Sequence, residues 1–157
     1  MKSIIEKPHR LSPECYRGCV SAAYTLCAEH RRPLFTNSAI QSVAQRLLFD
    51  GAKRSHCDIP IFLFMPDHCH IILQGNTETA DTYETILRFK QQSGFWFSRN
   101  YGGRCWQKNF YDHILRTEDD VRKHILYVLH NPVRKELVSD WKGYPYKGST
   151  VYNFDDW

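Results

Sequence analysis

Apolar runs and helical stripes alternate along the 157 residues in the order strand, helix, strand, strand, helix, strand, helix. The first six elements follow the β-α-β-β-α-β order of a ferredoxin-like sandwich. The fold class is therefore α+β, an antiparallel sheet with helices packed on it and an added C-terminal helix. Two features carry most of this reading. A pair of apolar runs is split by Pro66-Asp67, and three amphipathic stretches surround them. The length suits one domain, 1–157, with a core of its own.

The elements follow in order. "CYRGCVSAAYTL", residues 15–26, has few turn signals and reads as the first strand. Asn37 or Ser38 caps a helix to about Gly51, because Ile40, Val43, Ala44, Leu47 and Leu48 recur at helical spacing. "CDIPIFLFM" and "HCHIILQ" form a hairpin around Pro66-Asp67, which is turn chemistry. A second helix spans about Ala80 to Asn100, with Tyr83, Ile86, Leu87 and Phe97 expected inward and Gly94 as its weak point. A strand lies within "CWQKNFYDHILR". Thr117 and Asp120 resemble a capping box, and Glu118 and Asp119 suit a helix N-terminus. That third helix runs to Asn131, where Pro132 stops it.

Composition narrows the class. Hydrophobic residues make 42%, charged residues 24% and aromatics 14%, the balance of a water-soluble globular chain rich in rings. No run reaches the roughly 20 apolar residues of a membrane span. The charges in "MKSIIEKPHR" argue against an export leader, so a cytoplasmic, nucleoid-associated location is expected. A net charge of +4 fits a polyanionic partner without requiring one. Six cysteines contain no C-x-x-C pair and are read as reduced, buried side chains.

Two polar groups interrupt the apolar pattern. His68 and His70 alternate with Cys69 and Ile71, so in a strand both imidazoles project from one face. They stand close enough to converge on one ion, or they point into solvent from an edge strand; spacing alone leaves both open. On the third helix His124, Tyr127 and Asn131 lie three and four residues apart and share a face. A Tyr there is ordinarily a packed aromatic, and an Asn before Pro an ordinary helix stop.

"FMPDHCHIIL", "WQKNFYDH" and "YVLHNPVR" occur in that order. Together they give the pattern PDH-x-H-I, WQ-x-x-F-Y-D-H, Y-x-x-x-N-P-V-R, from Pro66 to Arg134. This combination resembles the single-tyrosine transposases of the HUH endonuclease superfamily, and more closely their REP-associated branch. Weaker likeness extends back to "RRPLFTN" and forward to "YPYKGST". Cys69 departs from the larger apolar residue usual between the two histidines.

The resemblance implies a sheet-borne metal site and a helix-borne nucleophile. His68, His70 and Asn131 would hold Mg²⁺ or Mn²⁺. Tyr127 would attack a phosphodiester of single-stranded or hairpin DNA, leaving a 5′-phosphotyrosine and a free 3′-hydroxyl. A strand-nicking and strand-joining enzyme is the implied activity. The alternative is a domesticated protein that binds repeat hairpins without turnover; a zinc hydrolase using His68, His70 and a cysteine is a third reading. A free phenol ionises only near pH 10, so His124, one turn before the tyrosine, is a candidate helper, with an ordinary solvated histidine the leading alternative. Arg134 and Lys135, just beyond the tyrosine, are the leading candidates for phosphate contact, followed by Arg104, Lys108, Arg88 and Lys90. Trp96, Trp106, Phe110 and Tyr111 are candidate stacking platforms, with core burial the leading alternative for each. Members of the superfamily act as monomers or homodimers, and a self-contained site is expected here.

Overall fold

The computed structural model describes residues 10–157, so the charged opening segment lies outside the described residues. Its strands are β1 (Ser21–Cys27), β2 (Cys57–Met65), β3 (His68–Gly75), β4 (Tyr111–Leu115) and β5 (Lys147–Gly148). They form one antiparallel sheet in the order β4-β1-β3-β2-β5. The helices are α1 (Ser38–Arg54), α2 (Thr82–Tyr101), α3 (Glu118–Leu129) and the single turn α4 (Asn131–Arg134). The first six elements have the expected β-α-β-β-α-β order, and α3 covers the face that the first two helices leave open.

Alternation along the strands divides the core in two. On one face Tyr24, Leu26, Phe62, Phe64, Cys69, Ile71 and Leu73 pack with Ile40, Ala44, Leu48 and Ala52 of α1 and with Ile86, Phe89 and Phe97 of α2. On the other, Ala23, Ile61, Leu63, Met65 and Ile72 meet Val121, Ile125, Val128 and Leu129 of α3, with Tyr144 and Phe154 closing the edge. Each buried side chain of that size contributes about 1.5–3 kcal/mol of transfer free energy, which holds α3 to the sheet without a covalent tie.

The local signals behave as their chemistry requires. Asn37 Oδ1 accepts from the amides of Ala39 and Ile40 at 2.9 and 3.2 Å. Thr117 and Asp120 form a reciprocal capping box, 3.1 Å from the Asp120 amide to the Thr117 hydroxyl and 3.2 Å in return.

Several expectations need correction. Residues 13–16 form a 3₁₀ turn, and β1 begins only at Ser21, because Pro13 opens a helical turn and Gly18 takes a positive φ of 82°. Gly51 does not end α1, which continues to Arg54. Leu87 is 40% exposed, because Ile86 occupies the core-facing position beside it. Pro132 does not end helical structure but sits in the first turn of α4, where a missing N–H costs nothing. Cys15 and Cys19 are exposed, whereas the other four cysteines are buried; all six are free.

Candidate active site

β3 lies inside the sheet between β1 and β2, which removes the edge-strand reading of its histidines. Cys69, Ile71 and Leu73 point to the α1–α2 side. His68, His70 and Ile72 therefore face the α3 side. The two Nε2 atoms are 3.2 Å apart, with the rings nearly perpendicular at 85°. The side-chain amide of Asn131 reaches both, Nδ2 standing 3.3 Å from His68 Nε2 and 3.0 Å from His70 Nε2. Two neighbouring side chains of β3 and one from α4, some sixty residues on, thus converge on one point.

Each imidazole is fixed from behind. His68 Nδ1–H donates to Asp67 Oδ1 at 2.7 Å, while Arg31 Nε donates to Asp67 Oδ2 at 2.9 Å. His70 Nδ1 bonds the hydroxyl of Thr25 at 3.2 Å, its cross-strand partner on β1. A carboxylate behind a histidine sets the tautomer and raises the basicity of the far nitrogen. Asp67, Arg31 and Thr25 were not singled out as site residues from sequence. The one signal was an acidic residue adjoining the first histidine, and it also fits an ordinary turn.

Electrostatics agree with this arrangement. Burial, then the charges of His68, His124 and Arg134, push the pKa of His70 down to about 3. Burial lowers His68 as well, partly offset by Asp67. For Asp67, burial acts upward, but the hydrogen bond from His68 and the charge of Arg31 outweigh it and keep the carboxyl low. Both imidazoles are neutral at pH 7, and the Nδ1–H bond to Asp67 leaves His68 Nε2 with its lone pair towards the shared point.

That donor set fits a divalent ion. Two imidazole nitrogens are joined by an amide whose oxygen takes the place of its nitrogen after a half-turn of the group. Among the described residues no group of three or more His, Cys, Asp or Glu gathers to hold a metal. The third polar side chain at the meeting point of the imidazoles is Asn131. Cys69 is fully buried on the opposite face, and no other cysteine among the described residues gathers with the two histidines, which counts against the zinc reading.

Tyr127 stands on α3, 57% exposed and on the same sheet face as the histidines. Its ring lies 6.0 Å from that of His124, centroid to centroid, and the Arg134 guanidinium lies 4.1 Å over it. The remaining basic candidates divide. Lys135 is close enough for its charge to lower His68. Arg88 is engaged with Glu84 at 3.1 Å across one helical turn. Lys90, Arg104 and Lys108 line a groove of about 680 Å³ with Leu87 and Trp106, on the α1–α2 side and away from the histidines. Of the four proposed platforms, Trp106 and Phe110 are core residues, Trp96 is half-buried, and Tyr111 is exposed.

A ferredoxin-like sheet thus carries paired histidines and a helix-borne tyrosine on one face. The chain belongs to the family described as Transposase IS200 like, whose model matches residues 20–127. A REP-associated tyrosine transposase of Escherichia coli K12 is 24% identical over 125 residues, 75% of this chain and 71% of that one. A Haemophilus influenzae protein, provisionally named a REP-associated tyrosine transposase, is 27% identical over 95 residues. That match covers 49% of this chain and spans about half, 52%, of the relative's length. The fold matches a REP-associated tyrosine transposase solved with a REP hairpin, at a TM-score of 0.74 and 20% identity over 88% of this chain and 80% of that one. No helix among the described residues is long and apolar enough to cross a membrane.

Proposed function

We propose that this chain nicks and rejoins single-stranded or hairpin DNA, with Tyr127 as nucleophile. The observation that carries the reading is the meeting of His68, His70 and Asn131 on the sheet face that α3 covers. His124 and Arg134, the two neighbours of the Tyr127 ring, both act electrostatically on His70. Their proximity to His70 within one chain supports a self-contained site in which Tyr127 serves its own subunit.

His68, His70 and Asn131 would hold Mg²⁺ or Mn²⁺, which would supply charge withdrawal from a non-bridging phosphate oxygen and orientation of the phosphodiester. The chain's own groups do the rest. Tyr127 Oη forms a bond to phosphorus as the bond to the 3′ oxygen breaks, and the phenolic proton passes overall to that oxygen. His124 suits the first proton transfer, since burial and the charge of His113 lower its pKa and leave it neutral with a free lone pair. The ester bond is conserved as a 5′-phosphotyrosine, so a returning 3′-hydroxyl reseals the strand without ATP. Lys135 and Arg134, at the histidine side of α4, receive the flanking phosphates. The relative solved with a REP hairpin supports hairpin DNA as the substrate class.

The test is covalent capture. Labelled hairpin DNA incubated with Mg²⁺ or Mn²⁺ should yield a denaturant-stable adduct, absent from Tyr127→Phe. Tight hairpin binding with no adduct under either ion refutes the enzyme and leaves a hairpin-binding role.

A further inference from the structure

Beside Tyr127 a cleft of about 390 Å³ opens between β4 and α3, remote from the groove along α2. His113 and Arg116 border it from the strand side, and Asp120, Lys123, His124 and Tyr127 from the helix. Its charge is one-sided. The lone acid, Asp120, is turned back to the Thr117 amide at 3.2 Å as part of the capping box. Arg116 and Lys123 are exposed, and the two imidazoles are close enough for the charge of His113 to depress His124. With two exposed cations against one carboxylate engaged in a helix cap, the trough is net positive and attracts a phosphodiester backbone.

We infer that this cleft is the seat of the DNA strand that stays attached to Tyr127 after nicking. The inference rests on the reading of Tyr127 as nucleophile. In-line displacement sends the departing 3′ oxygen away from the phenol, on the far side of phosphorus. The nucleotide that keeps the phosphate must begin within one phosphate of the tyrosine oxygen. Tyr127 is itself part of the cleft wall, so the retained strand enters it directly. The strand's backbone runs past Lys123 and Arg116 and leaves at the β4 edge of the sheet, beside His113. Held there, the strand stays in place while the free 3′-hydroxyl is exchanged.

The probe is 5′-phosphorylated tetrathymidylate, a mimic of the retained strand that requires no nicking, compared with its 3′-phosphorylated counterpart. Imidazole resonances of the full chain are followed in a ¹⁵N-histidine-labelled sample. His113 and His124 should shift on titration with the 5′-phosphorylated form, while the exposed His30 and His56 stay still. Arg116→Gln with Lys123→Gln should weaken binding about tenfold. It should also lower the slope of log K against log salt by about 1.4, the share of two single-strand phosphate contacts. Unmoved His113 and His124 at saturation, unchanged affinity in the double variant, or preference for the 3′-phosphorylated form overturns the assignment. The Tyr127 adduct is scored separately. An adduct without these shifts removes the cleft's role and keeps nicking. Shifts without an adduct keep the cleft as a strand site and remove nicking.

Discussion

Arg134 closes over Tyr127 from the next helical turn: its guanidinium carbon lies 4.1 Å from the ring centroid, and Nη2 donates to the Tyr127 carbonyl at 2.6 Å. That carbonyl belongs to the last turn of α3, whose acceptors lack partners within the helix. One arginine therefore caps the helix and stacks on the proposed nucleophile. Its value as a phosphate contact is joined to a positioning role that its place in the sequence did not reveal.

Replacing Arg134 tests that dual role. Arg134→Ala loses a charge-assisted hydrogen bond and a cation–π contact, together about 2 kcal/mol. Adduct formation should fall about thirtyfold as the phenol loses its fixed position, and the melting temperature should drop by a few degrees because the same contacts cap α3 in the free chain. Arg134→Lys keeps the charge but not the planar stack and should recover only part of the rate. Full recovery in single-turnover adduct assays would mean that charge alone matters.

Asp67 offers a second test, through the ion and not through the DNA. Its carboxylate orients His68 from behind and is itself held by Arg31. Asp67→Asn should weaken Mn²⁺ binding about ten- to a hundredfold, measured by electron paramagnetic resonance titration of the free ion. Arg31→Ala should have a smaller effect in the same direction. Unaltered Mn²⁺ affinity in Asp67→Asn would separate this hydrogen bond from metal binding.

How much of this was legible beforehand depends on how local each signal is. The Asn37 cap, the Thr117–Asp120 box and the hairpin at Pro66-Asp67 are set by residues within a few positions of one another, and all three appear where their chemistry places them. The two-residue β5 exists because Phe62 and Leu63 pair with Gly148 and Lys147 far along the chain, which no local pattern encodes. Leu87 misled for a related reason. An apolar residue adjoining Ile86 fits a core stripe in sequence, but the sheet accepts only one of the pair. The histidine pair was visible through strand alternation. Its second layer was not, because Asp67 has the same spelling whether it merely turns the chain or also orients His68.

Acid should weaken the fold through the same histidines. Burial, followed by the His68 charge, lowers His70 from 6.5 to about 3, and His68 is lowered in the same direction by burial. A histidine with a depressed folded-state pKa is protonated first in the unfolded chain, so the unfolded state binds more protons below pH 6.5. Stability is thus complete above about 6.5 and is lost progressively as pH falls towards 3. Urea midpoints at pH 7, 6, 5 and 4 should decline in the native chain and decline less steeply in His70→Gln. An identical slope in the variant would exclude His70 as a source of the acid sensitivity.

Gly75 permits a stability test kept apart from the chemistry, because it closes β3 at the end opposite His68. A Cβ on Gly75 would stand 2.0 Å from the Gly18 carbonyl oxygen and 2.9 Å from Ala80 Cβ. The obstruction is backbone and cannot swing aside. Gly18 is pinned by its amide bond to the Ala80 carbonyl at 2.8 Å, and Gly75 by its own to Val20 at 2.9 Å. Three segments therefore meet where only hydrogen fits. Gly75→Ala should cost about 2–3 kcal/mol of unfolding free energy, read from urea denaturation. Mn²⁺ affinity of the folded fraction should be unchanged, since His68, His70 and Asn131 make none of these contacts. A variant that unfolds at the native urea midpoint would show that β3 shifts at this end without penalty. The register that holds the two imidazoles at 3.2 Å would then have to be set by the strand's pairing with β1 and β2 alone.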